Sequence, residues 1–258
     1  MLLVESTYGN RIHTAQSGLS GEIESLLSET LNGGGKVIIP AFSVGRTQLL
    51  VYTLHQLVDA GKLPDFPIYV DSPLSVNATE VFRLHPECFN RDIYNFLREK
   101  DNPFGMDNLT YIRKASESIK LNNLDGPAII ISSSGMCEAG RIRHHLKNNI
   151  SDPKDLILFV GYCAYNTLGS VIRAGIDPVY IFGEPYEVKA KIASFDGFSG
   201  HADKNELSNY IESLTGNIKN VYVVHGEEES SLAFADTIRS IKPKANVVVP
   251  ELNESFEL

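Results

Sequence analysis

Val37-Ile38-Ile39-Pro40-Ala41 runs into Phe42-Ser43-Val44-Gly45 and then into Arg46 to Ala60, where Leu49, Leu50, Leu54, Leu57 and Val58 recur at helical spacing. A short apolar run, a loop closed by glycine and an amphipathic stretch make one strand–loop–helix unit. The same unit returns along the chain. Ile68–Asp71 reads as a strand, Ser72-Pro73 as a turn and Leu74 to Leu84 as a helix, with proline suited to the helix start. Ala128–Ile131 is followed by Ser132-Ser133-Ser134-Gly135 and a helical pattern from Glu138 to Asn148. Leu156–Val160 leads through Gly161–Asn166 to a short helix over Leu168–Ala174. Strands that are apolar throughout, alternating with helices, predict an α/β fold with a mostly parallel sheet flanked by helices on both faces.

Outward from this repeat the pattern changes. Residues 20–32 carry a helical pattern that stops at Gly33-Gly34-Gly35, and Leu2–Glu5 reads as a strand before the polar turn Ser6–Asn10. A domain that opens mid-strand reads as cut. Residues 85–125 are more polar and read as a peripheral excursion, helical or irregular. After Gly175 the chain turns β in character, with Pro178–Phe182 and then Tyr186–Ile192 in period-two alternation. A structural boundary is therefore expected near residue 180. A helix after Asp203, a strand over Val221–Val224, a helix near Ser231–Ser240 and a strand at Asn246–Val249 complete the pattern, with the last residues frayed.

Composition excludes several function classes. With 258 residues, 43% hydrophobic and 21% charged, the chain is an ordinary globular sequence able to bury a sizeable core. A net charge of −9 argues against broad electrostatic binding of nucleic acid and leaves room for a localised phosphate site. Cys88, Cys137 and Cys163 stand far apart, with no Cys-x-x-Cys pair, so neither a disulfide framework nor a zinc knuckle is indicated. No apolar run reaches a membrane span and no signal-peptide form is present, so a cytoplasmic protein without membrane contact is expected. The signatures of P-loop NTPases, Rossmann dehydrogenases and zincins are missing.

Chemistry concentrates in Phe195-Asp-Gly-Phe-Ser-Gly-His-Ala-Asp203. Asp203 and Glu206 have capping-box spacing ahead of Leu207, Tyr210, Ile211 and Leu214. His201 then sits in a glycine-flanked turn just before a helix N-terminus, where free N–H groups attract anions, and Ser199 and Gly200 become candidate phosphate contacts. A capped helix with a surface histidine is the plain alternative. Val221–Val224 ends on a second histidine, His225, followed by glycine. Two histidines at element ends suit metal or phosphate chemistry, because open α/β sheets place ligands beyond the carboxyl ends of their strands.

Ser133, Ser134 and Gly135, between a buried strand and a helix, offer a phosphate cradle or an ordinary serine-capped turn. Arg141 and Arg143 on the next helix either reach phosphates or are solvated charge. Arg46 opposes the dipole at the start of its helix, which predicts a partner, either Asp71 or a substrate phosphate. His144 and His145 are adjacent and point apart on a helix, so a shared metal is not expected. His13, His55 and His85 lack ligand spacing and read as structural or surface residues.

Glu5-Ser-Thr-Tyr-Gly with His13, Ile39-Pro-Ala-Phe-Ser-Val-Gly-Arg46-Thr-Gln, Asp71-Ser-Pro-Leu, Ser133-Ser-Gly-Met136 with Gly140-Arg141, Gly197-Phe-Ser-Gly-His201-Ala-Asp203 and Val224-His225-Gly-Glu227 occur in order. Together they resemble the motifs of the metallo-β-lactamase/β-CASP RNA-processing nucleases, the group of RNase J and the cleavage and polyadenylation endonuclease. The resemblance implies a β-CASP domain inserted into a metallo-β-lactamase αββα sandwich, with two zinc ions in the cleft between them. It assigns residues 1–14 to the end of an N-terminal metallo-β-lactamase portion, 15–180 to the β-CASP domain and 181–258 to the returning RNA-metabolising segment. It further implies RNA phosphodiester hydrolysis by a zinc-bound hydroxide. His225 would be a zinc ligand, and His201, oriented by Glu5, would protonate the leaving oxygen or steady the phosphate.

The chain departs from the family where zinc is bound. His-x-His-x-Asp-His is absent, since no two of the seven histidines stand two apart. The remaining ligands would precede Glu5, so the chain reads as beginning just after them. Asn166-Thr-Leu-Gly-Ser170 also differs, where the family usually has glycine first and arginine last. Two functions remain open at this stage. One is the C-terminal part of a zinc-dependent ribonuclease, completed by a segment or separate chain that carries the missing ligands, with homo-oligomers allowed. The other is a catalytically silent RNA-binding or scaffolding subunit. Retention of Glu5, His201 and His225 favours the first.

Overall fold

The computed structural model describes residues 1–13, 16–100 and 102–256, with residues 16–20 described by backbone alone. In chain order the elements begin β1 (Leu2–Glu5), α1 (Gln16–Asn32), β2 (Lys36–Pro40), α2 (Arg46–Asp59), β3 (Ile68–Asp71), α3 (Pro73–Leu84) and α4 (Arg91–Lys100). They continue with β4 (Leu109–Tyr111), α5 (Ala115–Leu121), β5 (Ala128–Ser132), α6 (Ile142–Asn149), β6 (Leu156–Phe159) and α7 (Leu168–Arg173). The last are β7 (Val179–Ile181), β8 (Glu184–Tyr186), β9 (Lys191–Ser194), α8 (Lys204–Ser213), β10 (Asn220–Val224), α9 (Glu228–Ile241) and β11 (Asn246–Val248). Contacts divide the chain into two compact units, Ala15–Phe198 and Met1–Thr14 with Ser199–Leu258.

The larger unit is built on a six-stranded sheet in the order β4-β3-β5-β2-β6-β9. Every pairing in it is parallel. Alternation along each strand sends side chains to two cores. Val37 and Ile39 of β2 join Leu27 of α1 and Leu50 and Leu54 of α2, while Ile38 joins Ile142 and Leu146 of α6. Both faces are covered, which is why these strands are apolar throughout. Each fully buried Ile or Leu contributes on the order of 1.5–3 kcal/mol of transfer free energy.

Four features differ from the sequence reading, each for a local reason. The 85–125 segment is not wholly peripheral, because Leu109–Tyr111 pairs with β3 and closes that edge of the sheet. The helix expected from Glu138 begins at Ile142. Gly140 has φ +83°, and a Cβ there would lie 2.2 Å from the Ser133 carbonyl oxygen, so the chain folds back on Ser133 before the helix starts. The alternating run Tyr186–Ile192 is not one strand. Its start belongs to a hairpin, β7–β8, turned by Phe182 and Gly183, both at positive φ as a tight two-residue turn demands. The amides of Lys189 and Ala190 then both donate to the Ile150 carbonyl, which interrupts the alternation before β9. Finally, the division between units falls after Phe198 and not near 180, because β9 pairs with β6 in the large sheet.

The smaller unit carries a parallel three-stranded sheet, β1-β10-β11. Leu207 and Ile211 of α8 and Phe234, Ala235 and Ile238 of α9 pack with Val4, Val221, Val223 and Val247. The register pairs Glu5 with Val224, so the carboxyl ends of β1 and β10 lie side by side. Among the described residues no helix is long and apolar enough to cross a membrane.

Candidate metal and acid–base centre

Glu5 ends β1, and His225 follows the last residue of β10. His225 has φ +53°, a left-handed conformation that histidine adopts more readily than most residues and that turns the chain sharply at the strand end. Gly226 follows because a Cβ there would lie 2.4 Å from Ser6 Oγ and 2.7 Å from the Ser6 carbonyl oxygen. His201 arrives from the turn ahead of α8. The ligand atoms of Glu5, His201 and His225 lie within 4.8 Å of one another, the one such group of three among the described residues.

Hydrogen bonds assign the ring protons. His201 Nδ1 lies 2.8 Å from Glu5 Oε2, and a carboxylate only accepts, so this nitrogen carries hydrogen. Thr7 Oγ1 donates to the same Glu5 oxygen at 2.6 Å. With its one proton committed there, it accepts from His225 Nδ1 at 3.1 Å. Both imidazoles are thereby anchored through Nδ1, which makes Nε2 the ring nitrogen left for a further ligand. The His225 side chain is 65% exposed and that of Glu5 28%.

The turn is held by the helix that follows it. Asp203 accepts from the Glu206 amide and Glu206 returns a bond to the Asp203 amide, the capping box expected from the sequence. Asp203 also accepts from the His13 amide, and His13 Nε2 donates to the His201 carbonyl, so His13 buttresses the turn. Burial pushes the Asp203 carboxyl up, but the amides of Glu206, His13 and Asn205 outweigh it and hold it below its ordinary value. Ser199 Oγ accepts from the His201 amide, and Gly200 stands open to solvent.

This donor set fits zinc. A neutral imidazole with its other nitrogen hydrogen-bonded, beside a carboxylate, is the chemistry that zinc sites use. Two zinc ions need about four ligands each, more than three side chains supply.

The remaining candidates lie in the larger unit and do not form one group. The Asp71 carboxylate, one of the partners expected for Arg46, is held by Arg141 at 2.7 Å, His145 at 2.6 Å and Ser118 at 2.6 Å. Burial raises the Asp71 carboxyl, yet the bonds from His145, Ser118 and Arg141 together hold it below its ordinary value. Arg141 also donates to the carbonyls of Ile112 and Arg113, so its guanidinium, 20% exposed, is largely committed to protein partners. Ser133 and Ser134 do not cap α6 with their hydroxyls. Ser133 donates to Ser72 Oγ while its carbonyl receives the Ile142 amide, and Ser134 Oγ accepts from the Ala139 amide. Gly135 lies under the Phe42 ring, where a Cβ would come within 3.0 Å of it. Sequence reasoning missed Thr7 and the buried Asp71–His145 pair. A carboxylate ending the apolar run Ile68–Asp71 was the available signal for the pair, since a buried charge demands partners.

Residues 47–172 match the family described as the Beta-Casp domain, and residues 185–250 match the Zn-dependent metallo-hydrolase RNA specificity domain. A Thermus thermophilus protein named as a ribonuclease is 36% identical over 234 residues, covering 91% of this chain and 53% of that protein. An RNase J-like protein of Methanocaldococcus jannaschii is 37% identical over 240 residues, covering 92% and 54%. A transcription termination factor, FttA, of the same organism is 33% identical over 260 residues, covering 98% and 41%. The chain thus spans about half the length, or less, of these curated relatives.

Proposed function

The chain belongs to the β-CASP family of metallo-hydrolases, and from this premise we propose that it is part of a zinc-dependent ribonuclease that hydrolyses RNA phosphodiester bonds. The observation that carries the reading is the convergence of Glu5, His201 and His225, with both rings anchored through Nδ1. A binding module has no use for that arrangement. In this reading residues 15–180 are the β-CASP domain and 1–14 with 199–258 belong to the metallo-β-lactamase portion, while 181–198, expected with the latter, fold with the larger unit; the matches at 47–172 and 185–250 support the two assignments. The protein acts on RNA in the cytoplasm.

His225 would be the zinc ligand this chain contributes, with Thr7 fixing its ring. Zinc held there would supply Lewis acidity toward water and a phosphoryl oxygen. His201, tied to Glu5 through Nδ1–H, holds a second proton at Nε2 for the departing ribose oxygen, a role worth roughly 10²–10⁴-fold in rate. Ser199 and Gly200, with Arg46, Ser133, Ser134 and Gly135, are phosphate or RNA contacts. Arg141 is assigned to Asp71 instead. A further segment or chain bearing His-x-His-x-Asp-His supplies the other zinc ligands, so this chain alone is expected to bind less than one zinc and to hydrolyse RNA poorly.

The test is zinc content by elemental analysis, with hydrolysis of a labelled RNA before and after adding a polypeptide that carries that motif. Activity that appears on complementation and is lost in His201→Ala and His225→Ala supports the reading. Complemented activity that survives both substitutions sinks it. RNA binding without hydrolysis under any complementation would point to a silent subunit.

A further inference from the structure

In the large sheet β5 and β2 are neighbours whose outgoing connections cross: β2 leads through α2 past β5 to β3, while β5 leads through α6 past β2 to β6. The two helices pack on opposite faces, α2 with Val37 and Ile39 and α6 with Ile38. Ligands of open α/β sheets bind beyond the carboxyl ends of the strands, and the segments that follow β2, β3 and β5 line one crevice at that edge.

A cavity of about 510 Å³ lies there, within the range of small-ligand pockets. Phe42, Val44 and Leu74 form its walls, and Ser133, Ser134 and Gly140 lie across from them. All three wall residues are exposed, Phe42 by 46% and Val44 and Leu74 by 60%. One side of the Phe42 ring, at Cδ2 and Cε2, packs against Gly135, whose missing Cβ leaves room for it, and much of the residue stays exposed. Ser133 has its proton committed to Ser72 and offers an acceptor, and Ser134 accepts from Ala139 and keeps a proton to donate. Among the described residues no Lys, Arg or His lines the cavity.

A flat aromatic platform, aliphatic flanks, one hydroxyl donor, one hydroxyl acceptor and no cation suit a neutral planar ring that carries hydrogen-bonding edges. They do not suit a phosphate. We infer that this crevice takes one unpaired nucleobase of single-stranded RNA, stacked on Phe42 and read at its edge by Ser133 and Ser134. The inference deepens the ribonuclease reading and rests on it for the identity of the polymer. It changes the role of Ser133 and Ser134 from phosphate cradle to base contacts.

The experiment compares a fluorescein-labelled single-stranded RNA with an abasic oligomer of equal length and phosphate count, by anisotropy on the full chain with a chelator present. The ordinary RNA should bind at least about tenfold tighter, the discrimination expected of one base–aromatic stack. Phe42→Ala should abolish the difference, Phe42→Tyr should keep it, and Leu74→Ala should weaken it severalfold. Circular dichroism checks that each variant is folded, and Leu74→Ala, which leaves the ring on Gly135 untouched, stands in if Phe42→Ala is not. Equal binding of the two oligomers overturns the base pocket and leaves the RNA reading standing. Binding of neither overturns both. A base preference that is unchanged in folded Phe42→Ala and Leu74→Ala overturns the assignment to this crevice.

Discussion

Thr7 has one hydroxyl proton, and Glu5 Oε2 at 2.6 Å receives it ahead of the His225 carbonyl at 3.0 Å. The charged acceptor wins because charge-assisted bonds are shorter and about twice as strong. Thr7→Val keeps the shape and removes both roles of the hydroxyl, so zinc affinity should fall roughly 10–100-fold, as for lost partners of metal-binding histidines. Competition with a chromophoric chelator measures this, and Thr7→Ser should restore the affinity. Asp71 is a different case, a fully buried carboxylate paired with Arg141 and His145. Asp71→Asn should cost about 3–5 kcal/mol at neutral pH, because it leaves its charged partner without a counterion. The folded carboxyl lies below its ordinary value of 3.8. Its stabilisation is therefore complete above that value and is lost as pH falls through the folded one. Urea midpoints of wild type and Asp71→Asn should converge below about pH 3.8 and stay apart at pH 7. An undiminished gap in acid would refute the assignment. Glu5, His201 and His225 were legible because each stands in a distinctive motif. Thr7 was not, since its role depends on three partners brought together by β1 pairing with β10.

The capping box ahead of α8 was legible from spacing alone, because Asp203 and Glu206 serve the local backbone and need no distant partner. Asp203 does more than cap, since it also accepts from the His13 amide, far back in the chain. Asp203→Ala should therefore destabilise the smaller unit by about 2 kcal/mol, the upper end for a lost N-cap. A urea titration of wild type and Asp203→Ala followed by far-ultraviolet circular dichroism tests this, and a loss within error of zero would count against it. The four βα units were legible for the same local reason, as apolar runs closed by glycine or proline. Elements that depend on distant partners were not. The strand Leu109–Tyr111 is too short to announce itself, and it exists because β3 offers it an edge. The start of α6 is displaced by Gly140 closing on Ser133, a contact the helical pattern of the sequence does not encode.

Across the whole chain the formal charge is −9, so an RNA partner meets overall repulsion and any binding must come from localised contacts. Among the described residues the crevice of Phe42, Val44 and Leu74 has no cation in its lining, so phosphates would have to be met elsewhere. Binding to single strands loses affinity with salt at a logarithmic slope of about −0.7 for each phosphate neutralised. With two or so phosphates engaged, the slope should be near −1.4, far shallower than for a protein with a continuous basic track. Titrations of the labelled RNA between about 50 and 200 mM salt give the slope directly, over the range in which multi-contact binders lose orders of magnitude. A shallow slope with strong preference over the abasic oligomer fits a chain that holds RNA by one stacked base and a few phosphates. A slope steeper than about −3 would mean four or more phosphates neutralised, and recognition would then have to run over a charged surface that neither unit displays in its crevice or its metal centre.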